Sequence, residues 1–223
     1  MRMIAVFEKS ERLRYVGHLD LMRTMQRALR RSGLPISYSK GFNPHIQVAF
    51  ASALSVGAVG RRELMDVEMD AETDSGTFLA AMNRALPPEM QLSEARAVDD
   101  RHPALMASMQ AAGYRLELEE PEAAAALAGC LEAFLAQESI PAQRKTKSGL
   151  KDCDIRPLIH ALTMEDQALH AVLIQTERES CKPDMLMKAL FAFAGTGESP
   201  YRVIRLQLYG RDGSGELQPL ECL

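Results

Sequence analysis

The chain contains no tryptophan, and aromatic residues make up only 5% of its 223 positions. Its core must therefore be built from aliphatic side chains and from the 13 methionines, whose unbranched thioethers fill irregular gaps. Four cysteines (Cys130, Cys153, Cys181 and Cys222) stand far apart, with no C-x-x-C pair. That spacing excludes a zinc ribbon, argues against a disulfide framework, and leaves no cysteine triplet to hold an iron–sulfur cluster. No apolar run approaches the roughly 20 residues of a membrane span. Met1 to Lys9 carries charge and has no secretory h-region, so a cytoplasmic location is the expectation. The sequence has no phosphate-binding glycine loop, catalytic triad or metal-ligand motif, and it implies no cofactor.

What is present is an uneven distribution of charge. The chain carries a net charge of −4, but residues 1–50 hold nine Lys/Arg against three Asp/Glu, a balance of +6. Residues 61–140 hold six against sixteen, a balance of −10, and residues 141–160 hold five against two. An acidic protein that segregates its positive charge either presents a local anion-binding surface or solvates one helix face. Hydrophobic residues at 47% and charged residues at 25% are ordinary for a folded α+β protein.

The periodicities give an element order. Residues 2–8 read as a strand, and a helix runs from about His18 to Ser32, stopped by Gly33. On that helix Leu21, Met22, Met25, Ala28 and Leu29 form one stripe, while Arg23, Arg27, Arg30 and Arg31 form the opposite one. A short strand near 35–39, the turn Gly41-Phe42-Asn43-Pro44, and strands near 45–51 and 64–70 follow. A helix at about 74–85 ends before Pro87-Pro88, and a strand closes at 91–98. The second half repeats the order with a strand at 114–119, a helix opened by Pro121, a strand at 140–146, and a basic loop from Arg144 to Lys151. A hairpin turning at 164–167, a helix at 183–194 and a strand at 201–209 complete it. The expected architecture is two tandem ferredoxin-like (split βαβ) halves with antiparallel sheets. They span 1–100 and 113–210, with a linker at 101–112 and a loosely held polar tail at 211–223.

Candidate functional residues crowd the first half. His18 opens the basic helix with Asp20 two residues on. His45 follows the Gly-Phe-Asn-Pro turn that also holds Asn43. His18 is a candidate general base or a helix-capping residue, and no partner of suitable spacing decides between them. Arg14, Arg23, Arg27, Arg30, Arg31 and Lys40 have the character of phosphate ligands, because guanidinium forks grip phosphate in bidentate fashion. Tyr15 and Phe42 stand among them and could stack on bases. In the second half Arg144, Lys145, Lys147, Asp154 and Arg156 form a further polar cluster. Asp66, Glu68 and Asp70 share a strand face that suits solvent better than a cation.

These segments carry a resemblance. Leu13-Arg14-Tyr15-Val16-Gly17-His18-Leu19-Asp20, Arg27 to Pro35, and Gly41-Phe42-Asn43-Pro44-His45, with Lys145-Thr146-Lys147 and Asp154-Ile155-Arg156-Pro157, resemble the uncharacterised radical SAM-linked protein family over nearly the whole length. Gly17 stands where that family is expected to have serine, and Ile46 where proline is common. The resemblance implies partnership with a radical SAM enzyme and, from the ribosome-related neighbourhood of such genes, an RNA context. The expectation is a non-catalytic accessory or substrate-binding protein for RNA (tRNA or rRNA) or another phosphate-bearing ligand. Its alternatives are a metal-independent endoribonuclease using His18 and a protein-docking scaffold.

Overall fold

The computed structural model describes residues 1–146, 149–176 and 178–223. The chain divides into two units, Met1–Met109 with Gln207–Leu223, and Gln110–Leu206. It is an α+β protein whose paired strands run antiparallel within each unit.

In the first unit β1 (Arg2–Lys9) is apolar from Met3 to Phe7 and buried along that run, as expected of a strand covered on both faces. A 3-10 turn at Glu11–Leu13 leads to α1 (His18–Ser32). This helix begins at Gly17 and ends at Gly33, whose φ of 74° is the left-handed C-terminal cap that glycine supplies without a Cβ penalty. Leu21, Met25, Ala28 and Leu29 are its buried stripe. β2 (Val48–Phe50), β3 (Val59–Glu68), α2 (Ser75–Ala85), β4 (Leu92–Val98) and the short α3 (Leu105–Ser108) follow. Asp74 caps α2 by accepting from the Thr77 amide at 2.9 Å. β1 lies between β4 and β3, and β2 pairs with β3. Met3, Ala5 and Phe7 of β1 join Met25, Leu29, Phe78 and Met82 of the two long helices in one core. Burying each such side chain contributes about 1.5–3 kcal/mol.

β3 starts five residues before the strand expected at 64–70. The charged run Arg61-Arg62-Glu63 hides its alternation, yet Glu63 is buried and Arg62 is half-buried. The expected strand at 35–39 is present only as isolated pairings of Ile36 with Met69 and Tyr38 with Ile46. Residues 101–112 hold α3, the buried Leu105 and Met109, and the start of the next strand.

The second unit holds β5 (Ala111–Leu118), α4 (Pro121–Leu135), β6 (Pro141–Thr146), β7 (Gly149–Asp154), β8 (Ile159–Glu165), β9 (Ala168–Ile174) and α5 (Pro183–Ala194). β10 (Tyr201–Arg211) belongs to it as far as Leu206. β8 and β9 meet at Asp166-Gln167, both with positive φ, the geometry of a tight two-residue hairpin. Leu116, Leu127, Phe134, Leu169, Leu173, Leu186 and Leu190 are its buried core.

Two expectations need correction. The described residues of the Arg144–Lys151 stretch are not loop, because β6 and β7 pair as a separate two-stranded sheet from Pro141↔Asp154 to Thr146↔Gly149. β7 is exposed along most of its length, so no buried alternation marks it. Residues 211–223 are not a loose tail either. β11 (Leu217–Pro219) pairs with Tyr209–Arg211, and Leu220 is buried.

Candidate functional site

The N-terminal candidates sit on two loops and one helix of the first unit. Lys9, fully buried at the end of β1, donates from Nζ to the Arg14 carbonyl at 2.8 Å and to the Ser55 carbonyl at 3.3 Å. The Gly57 amide donates to the same Arg14 carbonyl at 2.7 Å. One buried ammonium thus ties the 10–17 loop to the 52–58 loop. On that anchored backbone the Arg14 guanidinium lies 4.7 Å over the Tyr15 ring, donates to its hydroxyl at 3.0 Å, and pairs with Glu11. The Tyr15 ring itself is 68% exposed.

On α1 the His18 ring meets Phe50 edge-on at 5.4 Å. Asp20 pairs with Arg23 at 2.9 Å, not with His18. Arg31 donates to the Ala85 carbonyl at 2.7 Å. Arg27 and Arg30 are exposed, and no ion pair engages them among the described residues. At Gly17, where the resembling family is expected to carry serine, an added Cβ would meet nothing nearer than Asp20 Oδ2 at 4.0 Å. The backbone therefore has room for a capping side chain that this sequence lacks.

The Lys40–Pro44 turn is the tip of a narrow hairpin. Ser39 N donates to His45 O at 2.8 Å, and Gln47 N donates to Ser37 O at 3.0 Å. Gly41 makes the reversal at a φ of 138°, which side chains rarely adopt. His45 Nδ1 lies 3.1 Å from both Ser39 Oγ and Asn43 O. The carbonyl can only accept, so in the tautomer that makes this bond Nδ1 carries the proton and Nε2 is the acceptor nitrogen, whereas the Ser39 hydroxyl can donate to Nδ1 in the other. Phe42, at the tip, is fully exposed, and Tyr38 is 45% exposed.

The sequence-derived set does not converge on one point. His18 is packed against Phe50, while His45 is fixed in the turn by its neighbours. Asp20 and Arg23 satisfy one another, and Arg31 is engaged by the α2 terminus. Asp66 pairs with Arg2 and Asp70 accepts from Ser37. No metal-ligand cluster occurs among the described residues.

In the second unit Asp154 and Arg156 act on the backbone. Asp154 Oδ1 accepts from Ile140 N at 2.8 Å and from Arg156 N at 2.9 Å, and Arg156 Nε donates to Leu135 O at 2.9 Å. The amides of Arg156 and then Ile140 hold the Asp154 carboxyl below the usual carboxylate range. A depressed folded-state value adds stability above the unfolded value, and that stability is lost as pH falls through the folded one. Asp154→Asn is therefore expected to be less stable than wild type at neutral pH and to converge with it in acid. A pH series of denaturant midpoints checks this.

Arg144 donates from Nη2 to Ser180 O at 2.8 Å, and its Nε is buried with no hydrogen-bond partner among the described residues. Lys145 pairs through its backbone with Leu150. Lys147 lies outside the described residues. Sequence reasoning missed the cleft of roughly 710 Å³ to which Arg144 belongs, with Lys182, Asp184 and Lys188. Its signal was Met185, Lys188, Ala189 and Ala192, which share one face of α5. Cys181, beside these residues, has its thiol pushed up to about 12 by burial and then by Asp184 and Cys153, which disfavours the thiolate that a nucleophile needs.

These features define an α+β protein whose first unit exposes Tyr15, Tyr38 and Phe42 and carries exposed arginines on α1, and whose second unit holds a cationic cleft. The chain belongs to the family described as uncharacterized protein conserved in bacteria, DUF2344, whose model matches residues 2–183. That span includes the N-terminal motifs and the β6–β7 hairpin and ends at the first residue of α5. Comparison with curated proteins finds no match. No helix among the described residues is long and apolar enough to cross a membrane.

Proposed function

We propose that the protein is a non-catalytic binding module that holds RNA, through the face formed by its N-terminal loops and α1, for a radical SAM enzyme. One observation carries the RNA half of this reading. Phe42, Tyr15 and Tyr38 are exposed on the same unit as Arg27, Arg30 and Lys40, and no ion pair engages these three cations among the described residues. Tyr15 already has Arg14 over one face, whereas the fully exposed Phe42 has no packing return, and base stacking is the role that suits such a ring on a unit with unpaired cations. The radical SAM half rests on the family resemblance of the motifs. A binding role is also in keeping with His18, which packs on an aromatic ring and has no acid–base partner at hydrogen-bond distance among the described residues.

The test is binding of total cellular RNA across a salt series. Wild type is compared with an Arg27/Arg30/Lys40→Ala variant and with Phe42→Ala. Each lost phosphate contact to a single strand reduces the salt slope by about 0.7, so the triple variant is expected to lose about 2 units of slope. Phe42→Ala is expected to cost about 1–3 kcal/mol with the slope unchanged. Failure of the wild type to retain RNA at moderate salt overturns the reading and leaves this face as a protein-docking surface. Co-purification from native cells with an iron–sulfur protein bearing a cysteine triplet tests the partnership.

A further inference from the structure

The cleft between the β6–β7 hairpin and α5 is independent of the N-terminal face, and its chemistry is specific. It encloses roughly 710 Å³, within the range of small-molecule sites. Arg144 enters from β6, and Lys182 and Lys188 from the start and middle of α5. Asp184 is the single carboxylate among the lining residues, so the cleft has an excess of two positive charges. Arg144 is held by the Ser180 carbonyl at one terminal nitrogen, while its buried Nε N–H has no acceptor among the described residues. A buried donor without a partner is costly and is ordinarily satisfied by something bound.

Besides Gln143 and Ser180, the remaining lining is apolar, from Pro141, Ala142, Leu150, Met185, Ala189 and Ala192, and no lining residue is aromatic. A nucleobase would find no ring to stack on here, in contrast to the N-terminal face, whereas an alkyl body would find continuous apolar surface. Leu150, 68% exposed on β7, gains a role once such a body lies against it.

From this arrangement we infer a binding site for an aliphatic anion, its phosphate or carboxylate head on Arg144, Lys182 and Lys188 and its alkyl body along α5. Neither half of the ligand suffices alone. The cations lie at a protein–water boundary where a bare anion keeps its hydration, and a neutral alkyl chain would leave Arg144 Nε unsatisfied.

Calorimetric titration of the full chain with octyl phosphate and octanoate, each below its micellar range, tests the site against octanol and inorganic phosphate. Saturable binding of at least one amphiphilic anion is expected, with octanol and inorganic phosphate at least roughly tenfold weaker. The tighter of the two anions identifies the head group. Lys188→Glu is expected to weaken the anions by roughly tenfold or more and leave octanol unchanged. Ala189→Trp, which fills the cleft, should weaken all alkyl probes. Phe42→Ala should leave every value as in wild type. Circular dichroism checks the fold of each variant, and Lys182→Glu replaces Lys188→Glu if that chain misfolds. Absence of saturable binding, equal binding of inorganic phosphate and octyl phosphate, or binding indifferent to well-folded cleft variants would overturn the inference.

Discussion

Lys9→Met is expected to lower the stability of the first unit by about 2–4 kcal/mol, although methionine matches lysine in length and suits a buried strand. The reason lies in what the ammonium holds. Its two carbonyl partners, Arg14 O and Ser55 O, belong to loops that β1 does not otherwise fix. A hydrogen bond from a charged donor contributes about 1.5–3 kcal/mol, and two are lost. Relief from burying a charge offsets part of that loss. Both carbonyls would keep a backbone donor, Ser55 O the Ala58 amide at 3.2 Å and Arg14 O the Gly57 amide at 2.7 Å, so the loss is that of the charged bonds and no carbonyl is stranded. The surroundings leave little room to repack. Gly60, the cross-strand partner of Lys9, could not take a Cβ, because that atom would lie 2.5 Å from Glu63 Oε1 and 2.6 Å from its Cγ. Denaturant unfolding reads the effect as a lower midpoint with an unchanged slope. Faster proteolysis within residues 10–17 would locate it. A Lys9→Met protein as stable and as resistant as wild type would show that the loop stands without its anchor. Because Arg14 and Tyr15 ride on that loop, the variant should also bind RNA more weakly than its charge change alone explains.

Lys9 illustrates what a sequence conceals. In Glu8-Lys9-Ser10-Glu11 it reads as the polar end of a strand, and nothing in its neighbours signals complete burial. By contrast, α1 and α5 were legible to the residue. Gly33 and Gly195 punctuate their ends, Pro183 sets the start of α5, and apolar residues recur at helical spacing between. β5 was legible from the alternation of Tyr114, Leu116 and Leu118 with charged residues, although it starts earlier, at Ala111. β6 falls on the strand expected at 140–146, but β7 was not legible, since periodicity reports burial and this strand has almost none to report. The site divides in the same way. An arginine stripe is visible on a helical wheel, but its state is not. Arg23 is neutralised by Asp20 and Arg31 is spent on a helix terminus, while Arg27 and Arg30 face solvent. Pairing depends on rotamers and on distant backbone, which the order of residues does not encode. The cleft lay further out of reach, because Arg144 and Lys188 are brought together only by packing α5 on a hairpin whose second strand the sequence did not announce.

Deleting Leu217–Leu223 is expected to destabilise the first unit by about 4–6 kcal/mol, a large effect for seven residues whose composition suggests a dispensable end. Leu220, 1% exposed, accounts for about 2–4 kcal/mol, the cost of emptying a buried leucine site. Its site is tightly formed: a Cβ on Gly210 would fall 2.3 Å from Leu223 and 3.1 Å from Leu220. Glu221 accounts for most of the remainder. Its Oε1 accepts from Arg62 Nε at 2.9 Å and Nη2 at 2.8 Å, and its Oε2 accepts from Gln207 at 2.7 Å. Arg62 keeps Glu94 at 2.7 Å after the deletion, so the guanidinium is not stranded, and the electrostatic loss stays near that of a single charged bond, about 1.5–3 kcal/mol. Leu220→Ala separates the two contributions, since it empties the apolar site and leaves Glu221 in place. If the deletion costs no more than Leu220→Ala, the Arg62–Glu221 pair contributes nothing measurable. If neither change moves the unfolding midpoint, the C-terminal residues are bystanders to the fold. The expected result, a deletion that costs more than Leu220→Ala by roughly one charged hydrogen bond, would make residues 217–223 part of the framework of the first unit, and so of the proposed N-terminal binding face.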